Sequence, residues 1–226
     1  MRRLAWLWLA LFSCITLFST SCGGSGSSSD AMLRLVQASP DAPPVNVLID
    51  AQSVAVDLAY GNDTGYLSVK PGSRHIQVVP VSGGAAIFDQ TVSFTSSSTQ
   101  TLLLTGPAAG IQPVMLSDTA PTIVANSGNV RVVNASATMG AADVYIVPAG
   151  SSIAGVTPVK AGLTFGQSTG YQLTLAGNYQ VFMTTPGTTR ALLSTGPITL
   201  TASQNQTVVS LDGPSGGFAY VRLTDQ

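Results

Sequence analysis

The chain repeats itself, and the length of the repeat limits the fold more than any other feature. Residues 33–50, LRLVQASPDAPPVNVLID, align with 130–147, VRVVNASATMGAADVYIV, at 6 of 18 positions. Residues 60–72, YGNDTGYLSVKPG, align with 165–177, FGQSTGYQLTLAG, at 5 of 13, and Thr64-Gly65-Tyr66 returns intact as Thr169-Gly170-Tyr171. Further on, Val92, Phe94 and Gln100-Thr101-Leu102-Leu103 correspond to Ile198, Leu200 and Gln206-Thr207-Val208-Val209. The offset grows from 97 to 105 to 106, which places an eight-residue insertion in the second copy around 148–162. A repeat this long is a domain with its own core, not a solenoid unit.

What each copy can become follows from what the chain lacks. All ten acidic residues are Asp, so one of the best helix formers, Glu, is missing, while Gly, Ser, Thr and Val abound. Short β-branched runs bounded by turn chemistry predict strands at 33–37, 45–49, 66–70, 74–81, 86–94, 101–105 and 112–117. The second copy predicts them at 130–134, 143–147, 170–175, 179–184, 191–200, 207–211 and 218–224. Seven strands per copy joined by turns such as Ser82-Gly83-Gly84 and Pro186-Gly187 fit an immunoglobulin-like antiparallel β-sandwich. The expected fold is therefore all-β, two tandem sandwiches at 32–118 and 129–226 joined by a linker at 119–128. A linker of ten residues implies sandwiches lying end to end with limited freedom.

Alternation assigns the inward faces: Leu33, Leu35, Val45, Val47, Ile49, Ile76, Val78, Val92 and Phe94, with Val130, Val132, Val144, Ile146, Val181, Met183, Ile198 and Leu200 as counterparts. One conflict stands out. The period after Tyr66 turns Leu67 and Val69 inward, whereas after Tyr171 it turns Leu173 and Leu175 inward, which predicts a β-bulge in one copy.

The first residues carry an address. Arg2 and Arg3 precede a 15-residue apolar run, Leu4–Phe18, too short for a membrane span and followed by Ser19-Thr20-Ser21-Cys22-Gly23-Gly24. Residues 1–21 are an export signal, and a small residue before Cys22 with glycines after it resembles a bacterial lipoprotein signal, in which the Cys is acylated and becomes the first mature residue. Ser19 stands where such signals carry an aliphatic residue, and ordinary cleavage after Ser21, releasing a soluble protein, is the other reading. Residues 22–31 form a Gly/Ser tether with a reach of roughly 15 Å. Gly23, where resemblance would make Asp a retention signal, leans the destination towards an outer membrane, if the host has one. Both cysteines, Cys14 and Cys22, fall in or at the signal, so the expected body has none for a disulfide, a zinc site or a thiol nucleophile.

The pattern R-x-V-x-A-S-P-D-A-P-x-V-x-V near Arg34 to Val47, followed by Y-G-x-x-T-G-Y and P-G, resembles the bacterial domain of unknown function 4397. Ser39-Pro40-Asp41-Ala42-Pro43 is intact in the first copy; Ser136-Ala137-Thr138-Met139-Gly140 replaces it in the second. The resemblance implies exported, often lipid-anchored proteins built from repeated β-rich modules, with no catalytic residues to carry over.

Candidate chemistry is sparse. His75 is the only histidine, aligns with Gln180 and has no G-x-S-x-G elbow nearby, so it reads as a solvent-facing strand residue. Asp41, Asp50, Asp57 and Asp63 lack the spacing of a calcium loop, and no metal or cofactor is expected. Tyr60, Tyr66, Phe165 and Tyr171 recur in both copies and, with Asp63 and Ser168, are the candidate ligand loops; burial of the rings as corner packing is the competing reading. Trp6 and Trp8 leave with the signal, and the chain from Cys22 has a side-chain net charge of −3 with no basic run, which excludes nucleic acid as an expected partner.

The expectation is a non-enzymatic cell-envelope lipoprotein, held to a membrane by an N-terminal lipid, whose sandwiches serve binding, adhesion or spacing towards an envelope protein or glycan. The alternative is a secreted or anchored carbohydrate-binding accessory protein or hydrolase with a loop-built site at the Tyr-Gly loops. A third reading has exposed strand edges such as 218–224 pairing with a partner chain.

Overall fold

The computed structural model describes residues 29–226; the expected signal peptide, Cys22 and most of the tether lie outside the described residues. The described chain is built from sixteen strands, eight in each unit. The first unit holds β1 (Ala31–Gln37), β2 (Val45–Ile49), β3 (Gln52–Leu58), β4 (Leu67–Val69), β5 (Gly72–Pro80), β6 (Phe88–Phe94), β7 (Thr99–Thr105) and β8 (Gln112–Ser117). The second holds β9 (Ser127–Asn134), β10 (Ala142–Pro148), β11 (Lys160–Leu163), β12 (Gln172–Leu175), β13 (Gly177–Thr184), β14 (Ala191–Leu200), β15 (Asn205–Asp212) and β16 (Phe218–Asp225).

Each unit is a sandwich of two four-stranded sheets. In the first they run β4-β1-β7-β8 and β3-β2-β5-β6; in the second, β12-β9-β15-β16 and β11-β10-β13-β14. All pairings are antiparallel except β1 with β7 and β9 with β15, which are parallel in both copies. Leu33, Leu35, Leu102 and Leu104 of one sheet meet Val45, Val47, Ile76 and Val78 of the other to fill the first core. Val132 and Val208 meet Val144, Val181, Met183 and Ile198 in the second.

The two units do not lie end to end. The sheet containing β1 packs face to face on the sheet containing β9, and a third apolar core fills the space between them. Val36, Leu103, Val114 and Leu116 come from one unit, and Val133, Val209, Leu211 and Leu223 from the other. The molecule is thus four layers deep, and its two central sheets are covered on both faces. This is why β9 is buried at every position and β1 at all but one, polar residues such as Arg34, Gln37, Arg131 and Asn134 included.

Smaller differences have local causes. Strands β3 and β11 were not expected. The hairpin into β3 turns on Asp50 and Ala51, at φ +49° and +64°, without a glycine to mark it. In the second unit the insertion precedes β11 and lays Ile153 on Tyr145, Val147 and Phe182, a small outer cluster. Neither Tyr strand carries the expected bulge. Leu33 pairs with Leu67 and its counterpart Val130 with Gln172, so the register is the same and the second copy places Leu173 and Leu175 outward. Ala31 opens β1, and β9 begins at Ser127, two residues inside the expected linker.

Candidate functional site

Between the central sheets lies a buried polar cluster, and the sequence reading missed its charged members. On β1, Leu33 and Leu35 turn into the first core, so Arg34 turns into the inter-unit layer, where it is 2% exposed. Its Nη2 donates to Asp225 Oδ1 at the end of β16, 2.6 Å away, its Nη1 to the Thr224 carbonyl at 2.9 Å, and its Nε to Thr101 Oγ1 at 3.0 Å. The second unit answers with the same contacts reversed. Arg131 Nη2 donates to Asp118 Oδ1 at 2.6 Å, Nη1 to the Ser117 carbonyl at 2.7 Å and Nε to Thr207 Oγ1 at 2.9 Å. Each Asp also takes a threonine from its own sheet, Thr101 for Asp118 and Thr207 for Asp225.

The repeated tyrosines complete this cluster rather than an open platform. Tyr66 donates its hydroxyl to Asp118 Oδ2 at 2.8 Å, and Arg34 stacks 4.6 Å from its ring centre. Tyr171 donates to Asp225 Oδ2 at 2.7 Å under Arg131, 4.5 Å from its ring centre. Both rings are half-buried. Burial, then the Asp118 charge, pushes the Tyr66 hydroxyl well above the ordinary phenol range. Burial, then its bond to Asp225, does the same for Tyr171. Two guanidinium and two carboxylate groups are thus neutralised and hydrogen-bonded together, which is what makes their burial tolerable.

The other candidates separate. Tyr60 crosses the interface to donate to the Asp212 carbonyl at 2.7 Å, and both Tyr60 and Phe165 pack against the inter-unit core. Asp63 is exposed and accepts the Gly65 N–H at 2.7 Å. Ser168 Oγ accepts the Gly170 N–H at 3.3 Å. Thr64 and Thr169, beside them, accept the N–H of Leu35 and Val132, pinning each Tyr-Gly loop to its sheet. These residues therefore fall into an interface group and two loop braces. His75 lies on the outer face of the first unit with Nε2 2.5 Å from Asp89 Oδ1, and among the described residues no cluster of three or more His, Cys or Asp side chains could hold a metal.

A concavity does exist, at the end of the units away from the start of β1. A cleft of about 360 Å³ lies between them, lined by Pro40, Asp41, Pro107, Thr138, Asp212 and Pro214 among others. It unites the Ser-Pro-Asp loop with its degenerate copy. Asp41 Oδ1 accepts the Ala108 N–H at 2.7 Å and the Ser39 hydroxyl at 3.2 Å. In the second unit Thr138 occupies the equivalent place, and Asp212, at the end of β15, accepts Ser136 Oγ, Thr138 Oγ1 and the Ala137 N–H at 2.5, 2.5 and 2.9 Å. Each unit spends one carboxylate on bracing its loop, supplied from opposite sides. The signal for the ion cluster was present in the repeat: Arg34 and Arg131 are identical charged residues at equivalent strand positions, Asp118 directly follows the last strand of the first copy, and Asp225 ends the last strand of the second.

A family model described as Domain of unknown function (DUF4397) matches residues 31–145, from β1 through the first unit and into β10. Among solved structures, the chain is similar to family 41 carbohydrate-binding modules from streptococcal virulence factors that recognise alpha-glucan, at 12% identity and a TM-score of 0.27, covering 82% of this chain and 98% of that one. A multi-modular glycogen-degrading pneumococcal virulence factor, SpuA, matches at 11% identity and a TM-score of 0.26 over 85% of this chain; the match spans 22% of that protein's chain. A candidate cell adhesion protein of Bacteroides fragilis NCTC 9343 matches at 11% and 0.24, covering 88% of this chain and 98% of that one. The search of curated proteins found no match.

Proposed function

We propose that this chain, which belongs to the DUF4397 family, is an exported, lipid-anchored envelope module that binds or spaces rather than catalyses, its second unit being a diverged copy of the family domain. The observation that carries the reading is the polarity of the body. The central sheets are locked together by Arg34–Asp225 and Arg131–Asp118, and β1 and β9 start at the same end, since Asp225, held by Arg34, lies across Asn205 from Asn129 near the start of β9. The chain therefore enters at one end, where β1 starts, and the inter-unit cleft opens at the other. A lipid on Cys22 would hold the entry end at a membrane and present the cleft away from it.

The repeated tyrosines, which the hydrolase or sugar-platform reading needs as open ligand groups, have their hydroxyls bound to Asp118 and Asp225. The cleft, with its prolines and two carboxylates, is a surface open to an envelope protein or glycan.

The test is the intact mass and membrane partition of the full-length protein made in a bacterial host, beside Cys22→Ser. A lipid-sized mass increment and a membrane fraction, both abolished by Cys22→Ser, are expected. A soluble, unlipidated wild type cleaved after Ser21 would overturn the anchored reading. Glycan and peptide panels then read binding as a rise in thermal stability, about 2.7 kcal/mol at a hundredfold excess over Kd.

A further inference from the structure

At the entry end the two units present different chemistry from equivalent positions. Strand β4 and its flanks read Tyr66-Leu67-Ser68-Val69-Lys70, and β12 with its preceding residue reads Tyr171-Gln172-Leu173-Thr174-Leu175. Leu67 and Val69 pack on the first core, and Gln172 and Thr174 hold the matching register in the second unit. The residues between them face the other way, because side chains alternate along a strand. In the first unit these are Ser68 and Lys70, both bound to Asp30, at 2.6 and 3.0 Å. In the second they are Leu173 and Leu175, 51% and 67% exposed. Val124, in the turn leading to the Ser127 that pairs with Leu175, is 55% exposed.

The same end receives the chain. The Ser29 carbonyl accepts Ser96 Oγ at 2.8 Å and the Ser97 N–H at 3.2 Å, so the first unit grips the chain from Ser29 onward. Seven residue steps separate Ser29 from Cys22. At 3.3–3.6 Å per residue they span at most about 25 Å. We propose that Leu173 and Leu175, with Val124, rest on the headgroup and acyl boundary of the phospholipid bilayer that carries the Cys22 lipid; this rests on the anchored reading above. Three side chains make too small a patch for a stable protein partner, since specific interfaces bury on the order of 1,000 Å² or more. A tether this short holds the patch at high effective concentration against one surface, so a weak contact is enough to orient the body.

The test uses the full-length protein and takes advantage of its tryptophans. Both, Trp6 and Trp8, lie in the expected signal, so a substitution to Trp in the body becomes the sole reporter after cleavage. Leu173→Trp is compared with Val81→Trp, an exposed site beside Pro44 at the cleft end. Each is reconstituted in vesicles of phosphatidylethanolamine and phosphatidylglycerol with brominated acyl chains, with intact mass recorded and thermal melting compared with wild type. Leu175→Trp replaces Leu173→Trp if that variant fails to fold. Emission from residue 173 is expected to shift to the blue and be quenched, with residue 81 unaffected, and Leu175→Ser added to Leu173→Trp is expected to weaken the quenching. A lipidated, membrane-bound protein in which neither reporter is quenched would overturn the contact and leave the anchored reading standing. A soluble, unlipidated protein would overturn both.

Discussion

Arg34 shows why a sandwich residue should be judged by what covers its sheet. On an isolated sandwich its alternation would place it in water; here its guanidinium is buried between Asp225, Thr101 and the Tyr66 ring. Removing one partner of a buried pair strands the other charge, so Arg34→Met and Arg131→Met are each expected to cost about 3–5 kcal/mol by urea denaturation. A double-mutant cycle of Arg34→Met with Asp225→Asn should return a coupling of about 0.5–3 kcal/mol. The tyrosines contribute to alkaline sensitivity. Their hydroxyls titrate above 10.0 in the folded chain, so the native state keeps protons that the unfolded chain releases there. Their contribution is complete below pH 10 and is lost as pH rises further, and Tyr66→Phe with Tyr171→Phe should flatten the fall of thermal stability above that pH. Asp212 is a third test: Asp212→Ala leaves the donors of Ser136, Ala137 and Thr138 without their acceptor and should cost about 1–3 kcal/mol.

At the scale of elements, most strands were legible because β-branched runs between turn residues carry a period of two. What stayed hidden was set by other parts of the chain. Strand β3 follows a turn of Asp50 and Ala51, which no Gly announces, and β11 is short and follows the insertion. The Tyr strands misled because Leu173 and Leu175 are apolar yet face out, and only pairing with β9 fixes their register. Strand β9 also makes a close approach that the sequence marks by Gly128 alone. A Cβ there would meet the Gln204 carbonyl at 2.7 Å and Leu200 Cδ1 at 2.9 Å. Gly128→Ala is therefore expected to destabilise by about 1–3 kcal/mol, read in the same denaturation assay, through overpacking at the strand's start.

For the whole molecule, the duplication was plain in the sequence and the face-to-face packing was not. The linker's length permits either arrangement, and the choice is made by Val36, Leu103, Val133 and Val209, which a separate pair of sandwiches would leave in water. The recurring Arg and Asp in both copies are the trace of that packing, readable only once a shared interface is considered. The candidate loops fared similarly: Tyr66 and Tyr171 were visible as repeated residues, but their partners lie 52 and 54 residues away in sequence. The central claim is that the inter-unit layer makes two copies into one body, with its entry end and cleft end fixed. Scanning calorimetry of the chain without its signal tests this most directly, beside Arg34→Met. One cooperative transition, with calorimetric and van't Hoff enthalpies equal, is predicted for the wild type, at a temperature lowered by the substitution. Two separable transitions, of which Arg34→Met shifts only one or neither, would contradict it.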